Sequence, residues 1–182
     1  ICINTILGQI GCYVAAEAAE FTLVDRIFTR IGINDRLVLA KSSFFIEMED
    51  MNLMALYATE DSLCVVDELG RGTDALQGTA IASSFMEVLS ELKCRCVFVT
   101  HFHHLFLFAR NDPNISYNKV DVVLDQNGDI FFTYKLVPGV TESSFGIQVA
   151  KIAGLPYSIL EKAEQMSFQY ERGMIGVYEE TD

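Results

Sequence analysis

SLCVVDELGRGTDALQG, residues 62–78, is the stretch around which the predicted fold is organised. Residues 63–66 are apolar and show no helical period, which predicts a buried strand. Two adjacent carboxylates, Asp67 and Glu68, follow the strand directly and lead into a glycine-rich turn. Because ligands of open α/β sheets bind beyond the carboxyl ends of the strands, this acidic pair is placed for chemistry.

The acidic pair suits the hydrolysis of a nucleotide. Successive residues of a strand point to opposite sides, so we expect Asp67 and Glu68 to have different tasks. Asp67 would hold Mg²⁺ through a water, because Mg²⁺ keeps several waters and takes only one or two carboxylates. Glu68 would orient and deprotonate the attacking water. The alternative is an apolar strand that runs into a solvated acidic turn, and these residues alone leave it open.

Length and composition narrow the class of protein. The 182 residues correspond to one domain, 51% of them are apolar, and the chain has neither a long apolar run nor a signal peptide. This predicts a soluble protein without a membrane partner. The five cysteines form no CxxC pair, which favours a reducing compartment without disulfides or structural zinc. The net charge of −12 disfavours contact between this chain and DNA, since affinity for DNA comes largely from Lys and Arg.

The remaining pattern predicts an α/β domain. After an initial helical segment, the predicted elements are strand 21–30, a helix after Ser42-Ser43, strand 63–66, helix 78–92 and strand 96–100. Strand, helix and strand of this length form a βαβ unit with a right-handed crossover, whose parallel strands end at the same edge of a sheet. We therefore expect His101, directly after the second strand, to open close to Asp67.

The C-terminal third is predicted to hold a hairpin and two helices. Two strand-like runs flank Asn127-Gly128, a dipeptide that favours a tight turn, over residues 120–124 and 130–136. A helix over residues 143–153 is followed, after a glycine, by a second helix that begins at Pro156. The exposed charges of these helices are mixed in sign, which favours packing or dimerisation over the reading of DNA.

Two further features have more than one interpretation. His101 could donate a hydrogen bond to a γ-phosphate or be satisfied by a nearby carbonyl, and a metal cluster with His103 and His104 is the third alternative, although no second ligand group has zinc spacing. Ser42-Ser43 could cap a helix or, with the helix N–H groups, bind a phosphate. The chain contains no GxxxxGK[ST] phosphate-binding loop.

Taken together, these motifs resemble the ATPase domain of the MutS family of DNA mismatch-repair proteins, a branch of the ABC-type ATPases. The resemblance extends over nearly the whole chain, and its motifs are GQIGCYVAAE (8–17), DRIFTRIG (25–32), SSFFIE (42–47), DELGRGT (67–73) with Thr100-His101, and SFGIQVA (144–150). The chain departs from the family pattern at Ala15, where proline is usual, at Ser43, where threonine is commoner, and at Gln77, where aspartate is usual. The change at Gln77 puts the coupling between two ATP sites in question.

The resemblance implies an ABC-type P-loop NTPase fold, with a mixed and mostly parallel sheet, flanking helices and a C-terminal helix pair. It implies that the chain starts after the phosphate-binding loop. It also implies an ATPase domain over residues 1–140, a helical dimerisation element over residues 141–172 and a disordered tail over residues 173–182.

The resemblance also implies roles for individual residues. Asp67 would be the Mg²⁺ ligand, Glu68 the general base and His101 the γ-phosphate switch. The nucleotide-binding residues would be Ser42, which reaches across a dimer to the partner's ATP, with Ser43 beside it, Asp74 in the loop at that interface, and Gln9. The cofactors implied are ATP and Mg²⁺.

The implied partners are a second MutS-family subunit in a heterodimer, mismatched DNA bound by other domains, and a MutL-type repair protein. Three short motifs are most similar to the mismatch-recognising subunit of the eukaryotic MutSα heterodimer, namely GTAIA (78–82), KCR (93–95) and THFH (100–103). That similarity implies a nuclear location.

The function implied is an ATPase and dimerisation domain that hydrolyses ATP at composite sites between two subunits and so controls a DNA clamp. One rival is a non-hydrolysing interaction or scaffold domain of a degenerate or meiotic homologue, against which the intact Asp67, Glu68 and His101 argue. Another rival is a related ABC-type ATPase of chromosome structure or transport, which would need a different signature from SSFFIE.

One prediction concerns the 182-residue chain by itself. Because it has no GxxxxGK[ST] loop to hold the phosphates, we expect it to bind ATP poorly and to be inactive as an enzyme. Equilibrium dialysis with labelled nucleotide measures this binding. Tight, saturable binding would contradict the prediction.

Overall fold

Three short apolar strands form the parallel sheet that carries the acidic pair. The computed structural model describes residues 1–32, 42–125, 130–141 and 145–179. The strands are β1 (Ile27–Arg30), β2 (Leu63–Asp67) and β3 (Arg95–Val99), in the order β1-β2-β3. Since all three are parallel, Arg30, Asp67 and Val99 end at the same edge of the sheet.

Four helices accompany this sheet: α1 (Cys2–Gln9), α2 (Ser43–Tyr57), α3 (Ala75–Leu92) and α4 (Leu105–Ala109). The predicted elements 63–66, 78–92 and 96–100 are confirmed to within a few residues, whereas β1 is shorter than the predicted strand 21–30. The predicted loop at residues 34–40 and Lys41 lies outside the described residues.

The start of β1 is tied to the start of β2 by a small polar network. The Asp25 carboxylate accepts hydrogen bonds from the Ser62 hydroxyl at 2.8 Å and from the Thr59 hydroxyl at 2.9 Å. The bond from Ser62 is the main cause that lowers the pKa of Asp25 below its usual range. Strand β1 therefore begins only after Asp25, which is why it is shorter than its apolar pattern suggests.

The core of this unit lies between β2 and the helices α2 and α3. Its buried residues are Met51, Met54, Cys64, Val66, Leu69, Ala82, Leu89 and Leu105. The predicted stripe of α3 began at Ile81, but the buried residues are Gly78, Ala82 and Leu89. The helix is therefore rotated so that small residues face the core, because its backbone approaches its neighbours closely. In α2, likewise, Met51 is buried as predicted, but Ala55 is exposed and Met54 takes its place.

The second compact unit contains the predicted hairpin and helix pair. The hairpin strands β4 (Asn118–Leu124) and β5 (Ile130–Pro138) are antiparallel, with a register shift between Val120 and Val122. The predicted turn at Asn127-Gly128 lies outside the described residues. The helices are α5 (Gly146–Ile152) and α6 (Tyr157–Glu179), and Gly154 between them has a φ of +84°, which favours glycine.

The contacts divide the chain into units Ile1–Ser116 and Tyr117–Asp182. The predicted domain boundaries at residues 140 and 172 stay predictions, and α6 continues past residue 173 to Glu179. Among the described residues, no helix has the length and apolar character that a membrane span requires.

Candidate functional site

The acidic pair lies where β2 leaves the sheet. Asp67 is the last residue of β2 and is half-buried beside Val99 of β3. Glu68 follows in the left-handed region, with a φ of +55°, and its N–H donates a hydrogen bond to the Val99 carbonyl at 2.8 Å. The alternation of a strand therefore stops at Asp67 and does not govern the direction of Glu68. Such a backbone is uncommon for a residue other than glycine, and strained residues of this kind cluster at functional sites.

His101 lies next to the acidic pair, as the βαβ unit predicts. Its Nδ1 atom is 3.9 Å from Oε1 of Glu68. The two side chains are 46% and 33% exposed, respectively, so both are open to a substrate from solvent. His101 was predicted to lie close to Asp67, and its contact in the structure is with Glu68, the next residue of the acidic pair.

Arg71 is a member of this cluster that the sequence interpretation missed. Its guanidinium contacts Oε2 of Glu68 from three residues further along the chain. The Glu68 carboxylate thus lies between a permanent cation and an imidazole. The sequence could have indicated this contact, because Arg71 follows Glu68 by three residues and a turn brings residues three apart together.

Ser42 and Asp74 each cap a helix. The Ser42 hydroxyl accepts a hydrogen bond from the Phe45 N–H at 3.1 Å, and Ser43 is the first residue of α2. The Asp74 carboxylate accepts from two N–H groups of α3, those of Leu76 and Gln77, each at 3.1 Å. Both capping side chains are exposed, and these bonds lie within their own helices. The geometry therefore accounts for Ser42 and Asp74 as helix caps and leaves both reachable from outside.

Gln9 has a structural partner. Its side-chain oxygen accepts a hydrogen bond from the Val24 N–H, so the end of α1 is joined to the segment before β1. The predicted role of Gln9 near a nucleotide stays a prediction.

The donor set of the site fits Mg²⁺. Asp67 supplies one carboxylate at the end of β2, and Mg²⁺ takes only one or two carboxylates from a protein when waters and phosphates complete its shell. Within the residues described, no group of three or more His, Cys, Asp and Glu side chains could hold a metal ion. His101, His103 and His104 do not form such a group in the described part of the chain.

The chain matches one family profile over most of its length. MutS domain V matches residues 1–171. This chain belongs to the MutS family. It is 38% identical over 176 residues to proteins named DNA mismatch repair protein MutS from Rickettsia felis, Rickettsia bellii and Orientia tsutsugamushi. Each match covers 96% of this chain but 20% of the relative, so the chain spans about a fifth of the length of these MutS proteins.

Membership in the MutS family confirms the predicted fold class, because MutS domain V is an ABC-type ATPase domain. Proteins of the MutS family generally bind and hydrolyse ATP. The relatives compared are bacterial MutS proteins, and bacteria have no nucleus, so the predicted nuclear location is wrong. The bacterial relatives also give no support to the predicted eukaryotic subunit type.

Proposed function

We propose that this chain is the ATPase and dimerisation domain of a DNA mismatch-repair protein. In this proposal ATP is hydrolysed at composite sites formed between two subunits, and hydrolysis resets a DNA clamp. The observation that carries the proposal is the Glu68 carboxylate, 3.9 Å from His101 and in contact with Arg71, at the carboxyl end of β2. Membership in a family of ATPases supports the same function.

The mechanism follows from the chemistry of each group. Asp67 would hold Mg²⁺ through a water, and the bound ion would supply positive charge to the phosphate oxygens. Glu68 would accept the proton of an attacking water held within hydrogen-bond reach of its carboxylate. His101 donates a hydrogen bond to the γ-phosphate and so distinguishes ATP from ADP. These groups act by position and charge, as is usual in phosphoryl transfer.

The remaining residues are proposed to complete the site across the subunit interface. Ser42, followed by Ser43, begins α2 and is exposed, so its hydroxyl and the helix N-terminus can reach the partner's ATP. Asp74 is proposed to lie in the interface loop, and Gln9 near the nucleotide of its own subunit.

The proposed partner is a second MutS-family subunit, in a heterodimer, together with a MutL-type repair protein. Mismatched DNA would be bound by other domains, because this chain has a net charge of −12.

A non-hydrolysing scaffold is the second candidate, and Gln77 is the observation that favours it. Gln77 is exposed in the first turn of α3, at the position where the family usually has aspartate. ATP hydrolysis by the full-length protein separates the two candidates, since a scaffold shows no turnover with any subunit partner.

Replacing Ser42 by alanine tests the composite site. Ser42→Ala should weaken ATP-driven association of subunits while nucleotide binding to the isolated subunit is unchanged, because the hydroxyl serves the partner's site. Loss of the cap should also cost about 1 kcal/mol of stability. Sedimentation of the full-length protein with and without ATP measures the association. Ser42→Asp is the matched control: it keeps a capping oxygen but removes the hydroxyl, so its association should be as weak as that of Ser42→Ala. Unchanged association in Ser42→Ala would leave Ser42 a plain helix cap.

A further inference from the structure

A buried carboxylate joins α2 to the loop that carries the candidate general base. The side chain of Glu47, on α2, is 3% exposed, and that of Arg30, at the end of β1, is 8% exposed. Oε1 of Glu47 accepts a hydrogen bond from the Gly70 N–H at 2.8 Å, and Oε2 lies 3.8 Å from Nη2 of Arg30. Gly70 is two residues after Glu68, so one buried side chain links β1, α2 and the loop 68–72.

The loop 68–72 is also held by close packing on both of its glycines. A Cβ placed on Gly72 would lie 2.8 Å from Cβ of Phe44, in the first turn of α2. A Cβ placed on Gly70 would lie 2.7 Å from the Gly78 carbonyl oxygen, in the first turn of α3. The loop therefore lies directly against the starts of two helices, and Glu47 supplies its hydrogen bond to α2.

The buried pair of Glu47 and Arg30 is not explained by stability alone. Burying an ion pair is costly, because the desolvation of two charges can exceed their attraction, and apolar residues of similar volume often serve stability as well. At 3.8 Å the contact between Glu47 and Arg30 is also long for an ion pair. The shorter contact of Glu47 is its hydrogen bond with the Gly70 N–H. Glu47 therefore holds the loop 68–72 more closely than it holds the charge of Arg30.

We propose that Glu47 is a positioning residue for Glu68, which holds the loop 68–72 against α2 at the distance that catalysis requires. The inference rests on the proposed role of Glu68 as general base. Glu47 does not touch substrate; it acts through the Gly70 N–H, while Arg30 lies 3.8 Å from its other carboxylate oxygen. Displacement of the loop by about 1 Å could lower turnover on the order of a hundredfold.

Two substitutions of Glu47 in the full-length protein separate positioning from charge pairing. Glu47→Gln keeps an oxygen at the same reach but loses the charge opposite Arg30. Glu47→Asp keeps the charge but shortens the side chain by about 1.5 Å, the length of one carbon–carbon bond, and so withdraws the acceptor from Gly70. Glu49→Gln, on the exposed side of the same helix, is the control for loss of a negative charge on α2.

We expect Glu47→Asp to lower kcat for ATP hydrolysis by at least about tenfold with the KM for ATP within about twofold, because positioning of the base is lost and binding is not. Glu47→Gln should stay within about threefold of the wild-type kcat, and Glu49→Gln should not differ from it. Hydrogen exchange of the Gly70 amide should be faster by about tenfold in Glu47→Asp and near wild type in Glu47→Gln.

The opposite order, with Glu47→Gln impaired and Glu47→Asp normal, would overturn the inference and make Glu47 a charge partner of Arg30. If either variant fails to fold, the double variant Arg30→Met/Glu47→Leu removes both charges together. A wild-type kcat in that double variant would also overturn the inference. Failure of the proposed function is recognised separately. In that case Glu68→Gln would retain full turnover, whatever the exchange rate of the Gly70 amide.

Discussion

Glu68→Gln in the full-length protein should bind ATP normally and lose steady-state turnover. Glutamine keeps the size of the side chain and its hydrogen bonds but cannot accept the proton of the attacking water. General-base catalysis typically contributes about 10²–10⁴-fold, and we expect kcat to fall by this factor. The KM should change little, because the carboxylate acts on the water and not on the bound nucleotide. Phosphate release under saturating ATP, with binding of a labelled nucleotide in parallel, measures both quantities.

Glu60→Gln is the matched control for this substitution. Glu60 is exposed in the turn before β2. Its replacement by glutamine removes one negative charge, as Glu68→Gln does, from the same compact unit. Its turnover should equal that of the wild type. Normal turnover in Glu68→Gln would remove Glu68 from its proposed role, and loss of ATP binding would show that the residue holds the substrate instead.

Gly70→Ala should lower the free energy of unfolding more than most single substitutions in the unit Ile1–Ser116. Gly70 has a φ of +92°, which costs an alanine about 1–2 kcal/mol. Its new Cβ would also lie 2.7 Å from the oxygen and 2.8 Å from the Cα of Gly78, and backbone atoms cannot move aside as a flexible side chain can. Overpacking adds about 1–3 kcal/mol, so we expect a loss of about 2–5 kcal/mol together with lost ATPase activity.

Gly11→Ala separates the two causes of this loss. Gly11 also has a positive φ, +77°, but a Cβ there would meet no atom within 4 Å. Only the conformational cost of about 1–2 kcal/mol applies, and activity should be kept. Thermal unfolding of the two full-length variants gives the comparison. Equal shifts for Gly11→Ala and Gly70→Ala would contradict the close approach of the loop to α3.

The sequence was most informative where the pattern is local and apolar. The valine-rich run 63–66 and the run 96–100 predicted two strands of a βαβ unit, and parallel pairing of β2 and β3 brings His101 to Glu68. The helix cap Ser42 was also one of the predicted alternatives, since a serine before a helix commonly accepts an N–H bond. Those parts of the candidate site could therefore be predicted. Asp74 was not predicted as a cap, because the predicted helix began three residues after the observed start of α3.

Features set by contacts between distant residues could not be predicted in this way. The buried face of α3 is set by Gly78 and Ala82, which carry little hydrophobic signal but allow close approach. Glu47 resembles an ordinary surface residue near the start of a helix, since its partner Arg30 lies on another element. The left-handed backbone of Glu68 likewise depends on the packing of the loop, and no local pattern marks it.

The most direct test is a cryo-electron microscopy structure of the full-length protein with Mg²⁺ and a non-hydrolysable ATP analogue. We predict a nucleotide at the carboxyl end of β2, with the Glu68 carboxylate about 2.6–3.2 Å from a water in line with the γ-phosphate. His101 should contact the γ-phosphate, and Ser42 should contact the nucleotide of the other subunit. A nucleotide bound away from Glu68, or enclosed by a single subunit, would contradict the account.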